Sequence, residues 1–259
     1  METPGTNEVL GTSAPPRGKK LFWLALAVAL LAMGVAVTMM LAGFGARWGW
    51  WHFRTGFQML RWGAYGSIAL IVISGLLVFF TRPGTGRRGL PLAVLALLIA
   101  IVVAGNVARW ALRARSVPPI HDITTDTENP PEFIAIAPLR ADAPNPAAYG
   151  GAEVAVQQRE AYPDIQPTLI NEPPEAAFQR ALSAARAMGW EVVSINADSM
   201  RIEATDRTFW FGFRDDIAIR LTPAGGRTVL DVRSKSRVGR SDVGTNAARI
   251  RKYLEQLQR

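Results

Sequence analysis

Hydrophobic positions crowd, nearly unbroken, into three stretches of the first half of the chain, Leu21–Gly43, Trp62–Thr81 and Leu90–Leu112, and no acidic residue falls between Glu8 and Asp122. Each stretch holds roughly 20 residues or more, which at about 1.5 Å per residue crosses a hydrocarbon layer of about 30 Å. Lipid offers the backbone N–H and C=O groups no partner, so a helix is the expected form of each. The second half changes period. Phe178, Ala181, Leu182 and Ala185 repeat at helical spacing behind Pro174 and stop at Gly189. Strand-like runs follow. Trp190–Ile195 is β-rich, and Met200, Ile202 and Ala204 alternate with Arg201 and Glu203. Phe209, Phe211 and Phe213 alternate next, then Ile217, Ile219 and Leu221, with Arg214–Asp216 read as a turn or bulge between them. Ala224-Gly225-Gly226 reads as a hairpin turn and Arg227–Val238 as the last strand, with Leu230 and Val232 inward. Val243, Ala247, Ile250, Leu254 and Leu257 form the stripe of a final helix.

This pattern predicts a three-helix transmembrane region plus an α+β domain, an antiparallel sheet with helices on one face in a helix-grip-like arrangement. The expected divisions are an N-terminal tail at 1–20, a transmembrane region at 21–115, a proline-rich arm at 116–173 packed on the domain, and an α+β core at 174–259. Proline density in the arm prevents long regular elements there, apart from one short helix near Ala152–Ala161. The first apolar stretch follows Arg17, Lys19 and Lys20, as a signal peptide would. It is too long for that, however, lacks a small-residue cleavage site and is followed by two more spans, so it reads as an anchor. Gly34, Gly63, Gly66, Ser67, Gly75 and Gly105 are expected to let these helices approach closely. Asn106 and Arg109 fall near the end of the third stretch and read as interfacial, with Arg109 snorkelling. The Phe44–Leu60 connection, with Trp48, Trp50, Trp51, Phe53 and Phe57, reads as an aromatic belt at headgroup level.

Charge refines the picture. Residues 1–116 carry 12 Lys/Arg and two Asp/Glu, whereas residues 117–259 carry 17 and 19. The basic excess belongs to the membrane flanks and meets a lipid bilayer, which argues against a nucleic-acid partner. Arg17, Lys19, Lys20, Arg82, Arg87 and Arg88 share one side of the expected membrane; Arg47, Arg54, Arg61, Arg113 and Arg115 share the other. The cluster before the first span places the N-terminus inside and the C-terminal domain in the periplasm of a bacterial inner membrane. The chain has no cysteine, so disulfides, thiol catalysis and cysteine metal sites are out. No metal site and no cofactor are expected.

Candidate chemistry gathers at the end of the domain. Asp231, Arg233, Lys235 and Arg237 alternate along one strand face, a pattern that fits an anion track for phosphate, sulfate or a lipid headgroup and equally a solvated face neutralised by acidic neighbours. Asp215 and Asp216 are paired carboxylates, able to share a proton or hold a divalent cation only if a turn brings them together, and otherwise read as a solvated turn or as partners of Arg233 or Arg237. Ser234 and Ser236 fall in the inward register and lack an anchored base, because the only histidines are His52 and His121. Asp242 suits a helix cap, with Asn246 one turn on. His121 stands beside Asp122 and near Asp126, a set that fits either a structural hydrogen bond or acid–base work.

Together these residues resemble the domain-of-unknown-function 1499 family. The resemblance is carried by Glu203-Ala204-Thr205, Phe213–Ile217, Arg220, Asp231–Gly239, Asp242, Gly244, Asn246 and Arg249-Ile250, with His121–Asp126 and Asn129–Phe133 at the start. The three-span leader with Phe53-Arg54-Thr55-Gly56-Phe57 resembles longer bacterial members. The family implies one shared polar site, where the last strand, the start of the last helix and the His121 arm meet, and implies no activity. The candidate ligand-binding set is therefore Arg233, Ser236, Arg237, Asp242, Asn246, Asp215, Asp216, His121 and Asp122. The expected function is a membrane-anchored envelope protein whose domain binds an anionic small molecule, a lipid headgroup or a membrane-protein partner. Two alternatives stay open: a hydrolase or transferase acting on an envelope lipid or glycan, and a structural subunit of a membrane complex.

Overall fold

A computed structural model describes residues 19–85 and 87–259; Arg17 lies outside them. The described residues form two compact units, residues 19–42 with 56–107, and residues 43–55 with 108–259.

The first unit is built on three long helices, α1 (Lys19–Arg47), α2 (Phe53–Thr81) and α3 (Leu90–Ser116), each long and apolar enough to cross a membrane. Their ends run past the apolar stretches and reach into the second unit. Alanine carries the closest packing. Ala25, Ala29 and Ala32 of α1 and Ala93, Ala96 and Ala100 of α3 recur three or four residues apart and are buried together with Leu70 and Leu77 of α2. Of the expected glycines, Gly63 meets Met39 and Gly66 meets Val35, whereas Gly34, Gly75 and Gly105 face nothing within 4 Å. A methyl group suffices for these contacts, and glycine is needed only where another side chain lies against the backbone. The buried hydroxyls turn inward on their own helix: Ser67 donates to Ala64 O at 2.8 Å, Thr81 to Leu77 O at 2.6 Å, and Ser74 to Leu70 O. Each polar group is thereby satisfied without water.

The second unit is an α+β domain. Its antiparallel sheet runs β1 (Asp122–Thr124), β6 (Arg227–Ser236), β5 (Arg214–Ala224), β4 (Arg201–Arg207), β3 (Glu191–Asn196), and β2 (Thr168–Ile170) pairs β6 beside β1. Period-two alternation sends Ile202, Ala204, Ile217, Ile219, Leu221, Leu230 and Val232 to one face. There they meet the apolar stripes of α5 (Pro174–Ala187) and α6 (Thr245–Leu257), including Phe178, Leu182, Ile250 and Tyr253. Trp190 stacks on Tyr253 with ring centroids 5.0 Å apart. The proline-rich stretch supplies α4 (Gly151–Ala161), the two short strands β1 and β2, and a strap from Asp126 to Tyr149 over the opposite sheet face.

Two expectations are corrected, the smaller being Val243, which precedes α6 at φ +54° instead of lying on its stripe. Phe209, Phe211 and Phe213 do not form a strand, and Arg214–Asp216 is no turn. Asp215 and Asp216 lie within β5, and residues 208–213 close the β4–β5 hairpin. Thr208 N donates to Phe213 O at 2.9 Å, Phe213 N donates back to Thr208 Oγ1 at 2.9 Å, and Gly212 turns the chain at φ +69°. The aromatic alternation serves a different partner, the α1–α2 connection. Arg47 Nη1 donates to Thr208 O at 2.8 Å and Phe209 O at 2.9 Å. Phe44 meets Phe209 edge-on at 5.5 Å, and Phe53 meets Phe213 edge-on at 5.6 Å. The fit is close: a Cβ on Gly43 would lie 2.4 Å from the Trp210 ring, and one on Gly212 2.9 Å from Arg47 Cγ.

A Gly212→Ala substitution therefore combines a strained φ with a steric conflict. It is expected to lower the thermal midpoint of the full-length protein, whereas Gly225→Ala, also at positive φ but facing open space, lowers it less. Equal shifts in a thermal melt would show that the contact with Arg47 adds nothing.

Candidate functional site

The last strand divides its polar residues between two faces. Arg233, Lys235 and Arg237 project toward the strap, while Ser234 and Ser236 project toward α6. Asp215 and Asp216 divide in the same way, so the two carboxylates do not converge.

On the strap face, Asp122 of β1 stands opposite Lys235. It accepts Arg233 in a two-pronged bond, Nε to Oδ1 at 2.8 Å and Nη2 to Oδ2 at 2.9 Å, and lies 3.0 Å from Lys235 Nζ. Arg233 and Asp122 are 2% and 1% exposed. The strap completes the set, with Arg233 donating to Pro131 O and Ala147 O and Lys235 to Ala148 O at 2.5 Å. The Arg233 guanidinium also lies 4.7 Å from the Phe133 ring centroid and 5.4 Å from that of Tyr149. Asp216 repeats the arrangement. It takes Arg237 in two bonds of 2.9 and 2.8 Å, Arg140 at 3.1 Å and the Thr205 hydroxyl at 2.8 Å. Two strands away, Glu203 accepts the backbone N–H groups of Ile134, Ala135 and Ile136, pinning the strap. Arg220 bonds Asp126 and Asp231, both at 2.9 Å.

Burial shifts these groups in a consistent sense. Removal from water pushes Arg140 down, and the neighbouring Arg237 and Arg233 push the same way against Asp216. Removal from water also lowers Lys235, against the pull of Asp122. The Tyr149 phenol is pushed up to about 12, first by burial and then by Asp122.

On the helix face, Arg249 of α6 links Asp206 at 2.8 Å and Asp215 at 2.6 Å. Burial raises the Asp215 carboxyl above its usual range, with Arg249 pulling against it. Asn246 is fully used: its Oδ1 accepts Ser234 Oγ at 2.7 Å and Arg249, and its Nδ2 donates to His121 O and Ser236 Oγ, both at 3.0 Å. Asp242 caps α6, its two oxygens accepting Gly244 N at 2.8 Å and Asn246 N at 2.7 Å. Burial pushes its carboxyl up despite those bonds. His121 contributes its carbonyl here, and its Nδ1 lies 3.3 Å from Arg240 O.

The single pocket expected from the sequence thus resolves into two networks. Arg233, Arg237, Asp216 and Asp122 belong to the strap face. Ser236, Asp215, Asn246, Asp242 and His121 belong to the helix face. Among the described residues no three His, Asp or Glu side chains are grouped as a metal ion would need. Arg140 and Tyr149 leave no mark in the sequence, because they lie in the strap where no periodicity marks a facing side. Phe133 and Glu203 stand out there only as residues of the family resemblance, and Glu203 also as an outward residue of β4.

Burial of charged and phenolic groups in the domain has two measurable consequences. Arg233→Ala leaves the Asp122 carboxylate buried with one cation fewer and should cost about 3–5 kcal/mol in denaturant unfolding; a cost under 1 kcal/mol would place the strap outside the folded core. The tyrosines of the domain, Tyr149, Tyr162 and Tyr253, all have raised phenols. For a raised acid, the folded state keeps its proton longer than the unfolded one. The stabilisation is whole below the unfolded value of about 10 and drains away as pH climbs through the folded values. Phenolate absorbance should lag in the folded protein, and unfolding should come with its sudden appearance. An ordinary titration of all tyrosines near pH 10, with the fold intact, would refute the burial argument.

No curated protein is significantly similar to the chain. A family model described as "Protein of unknown function (DUF1499)" matches residues 122–257, from the carboxylate that anchors β1 to the last residue of α6. That match spans more than half of the chain and, apart from His121, encloses both polar networks, so the protein belongs to the DUF1499 family.

Proposed function

We propose that this DUF1499 member is an inner-membrane protein whose C-terminal domain stands on the periplasmic side and works by binding an anion, not by catalysis. The observation that carries the reading is a local excess of positive charge. Arg140, Arg233, Lys235 and Arg237 share the carboxylates of Asp122 and Asp216, their other bonds go to neutral carbonyls of the strap and of Ser236, and Arg140 Nε is buried without a partner. The Arg220–Asp126–Asp231 group farther along the face offsets part of that excess. Burial is the main cause that lowers Arg140 and Lys235, and an incoming phosphate- or carboxylate-bearing group would offset it and relieve the smaller repulsion from the neighbouring cations. Arg237, with 13% of its side chain exposed, is the member open to solvent and the natural first contact.

An acid–base role for Asp215, Asp216 or His121 has less support. Both carboxylates are already held by arginines, and His121 lies against a backbone carbonyl. The periplasmic placement is supported by Lys19 and Lys20 at the start of α1 and by Arg82, Arg87 and Arg88 between α2 and α3. Arg47 and Arg113 on the domain's side are engaged with carbonyls of the domain, at Thr208, Phe209 and Val243.

Inorganic phosphate should raise the thermal midpoint of the full-length protein in lipid nanodiscs more than chloride of equal ionic strength does. Arg237→Gln loses its pairing with buried Asp216 and should melt lower in chloride, and phosphate should then add no further increment. No difference between phosphate and chloride for the unsubstituted protein would end the anion reading. For orientation, Asp198→Cys introduces the sole thiol of the chain at an exposed turn. It should react with a membrane-impermeant maleimide in intact spheroplasts, and labelling only after lysis would reverse the topology.

A further inference from the structure

We infer that the β4–β5 loop of the C-terminal domain, together with the α1–α2 connection, forms an aromatic patch that seats in the interfacial layer of the lipid bilayer. The domain is then held to the membrane by a surface as well as by its covalent link to α3. The inference rests on α1 and α2 crossing a bilayer, and not on the anion site.

Topology sets the depth. The connection 48–52 joins two helices that are each long and apolar enough to span, so the chain reverses there at a membrane surface. The loop 208–213 is fixed to that reversal by the two Arg47 bonds and by the ring contacts of Phe44 with Phe209 and Phe53 with Phe213, and it must lie at nearly the same level. Chemistry then selects the occupant. Phe44 stacks on Trp48 at 5.5 Å, and Trp48 meets Trp50 at 4.9 Å. Yet Phe209 remains 78% exposed, Trp50 62% and Trp48 55%. Such rings in water would forfeit much of the burial they can provide, whereas at the headgroup level both their apolar bodies and the indole N–H find suitable surroundings. No acidic residue occurs in 43–55 or in 208–213, and Arg47 and Arg54 stand among the rings, so nothing repels lipid phosphates and two cations can meet them.

The test uses the absence of cysteine. Phe209→Cys and, separately, Trp50→Cys in the full-length chain are labelled with an environment-sensitive fluorophore. Each is reconstituted into phosphatidylcholine–phosphatidylglycerol vesicles, with Asp198→Cys in the turn at the far end of β4 as the reference. Labels at 209 and 50 should emit to the blue of the reference, be quenched by lipid carrying a nitroxide near the headgroup, and resist aqueous iodide. Emission and iodide quenching equal to those of position 198 would overturn the proposal. Protection from iodide without quenching by the nitroxide lipid would overturn it as well, since it assigns the patch to a second copy of the chain. Phe209→Cys and Trp50→Cys remove ring contacts, but the two Arg47 bonds go to backbone carbonyls and the Phe53–Phe213 contact is untouched, so the loop keeps its anchor in both variants.

Discussion

Asp122 holds two cations at once, away from water, and the organisation of the domain turns on that contact. Removing three charges from solvent is costly, and their mutual attraction offsets the cost only when the remaining donors are also satisfied. Those donors reach Pro131, Ala147 and Ala148 of the strap. The ion pair thus dictates where the strap lies, and the strap makes the ion pair tolerable. The same contact fixes β1 against β6, since Asp122 is both a strand residue opposite Lys235 and the acceptor for its side chain. Asp216 with Arg140 and Arg237 extends the principle one row farther along the sheet.

The two sheet faces are consequently held by different physics. Under α5 and α6 the interior is apolar and closed by area, with Ile217, Ile219, Leu230 and Val232 against Phe178, Ile250 and Tyr253. Under the strap it is a mesh of charges and carbonyl dipoles with Phe133 and Tyr149 as its aromatic members. The helix face carries one polar intrusion, where Asn246, Arg249, Ser234, Ser236 and Asp215 saturate one another at the start of α6. An orderly hydrogen-bond pattern of this kind fixes the angle at which α6 leaves β6, and Asp242 ends it by capping the helix.

In the membrane-spanning helices the governing constraint is the absence of water. Hydroxyls fold back on their own carbonyls, acids are excluded over more than a hundred residues, and small side chains set the distance between helices. Where α1 leaves that environment the requirements change, and Arg47, Phe44 and Phe53 take partners in the β4–β5 loop.

The sequence by itself determined the features that rest on period and length. Apolar runs long enough to cross a bilayer, the stripes of α5 and α6, and the two-faced alternation of β6 each follow from local geometry, so Ile219, Val232 and Arg233 were assigned to their faces correctly. The family was legible too, because its motif residues cluster in β5, β6 and the start of α6. Tertiary structure alone decided what those faces meet. Ion-pair partners such as Asp122 with Arg233, and Arg140 with Asp216, are separated by 111 and 76 residues and leave no periodic trace. The Phe209–Phe213 alternation imitates a strand, because aromatic residues at period two satisfy either a pleated sheet or a folded loop packed on other rings. Only the long-range contacts with Arg47, Phe44 and Phe53 distinguish the two.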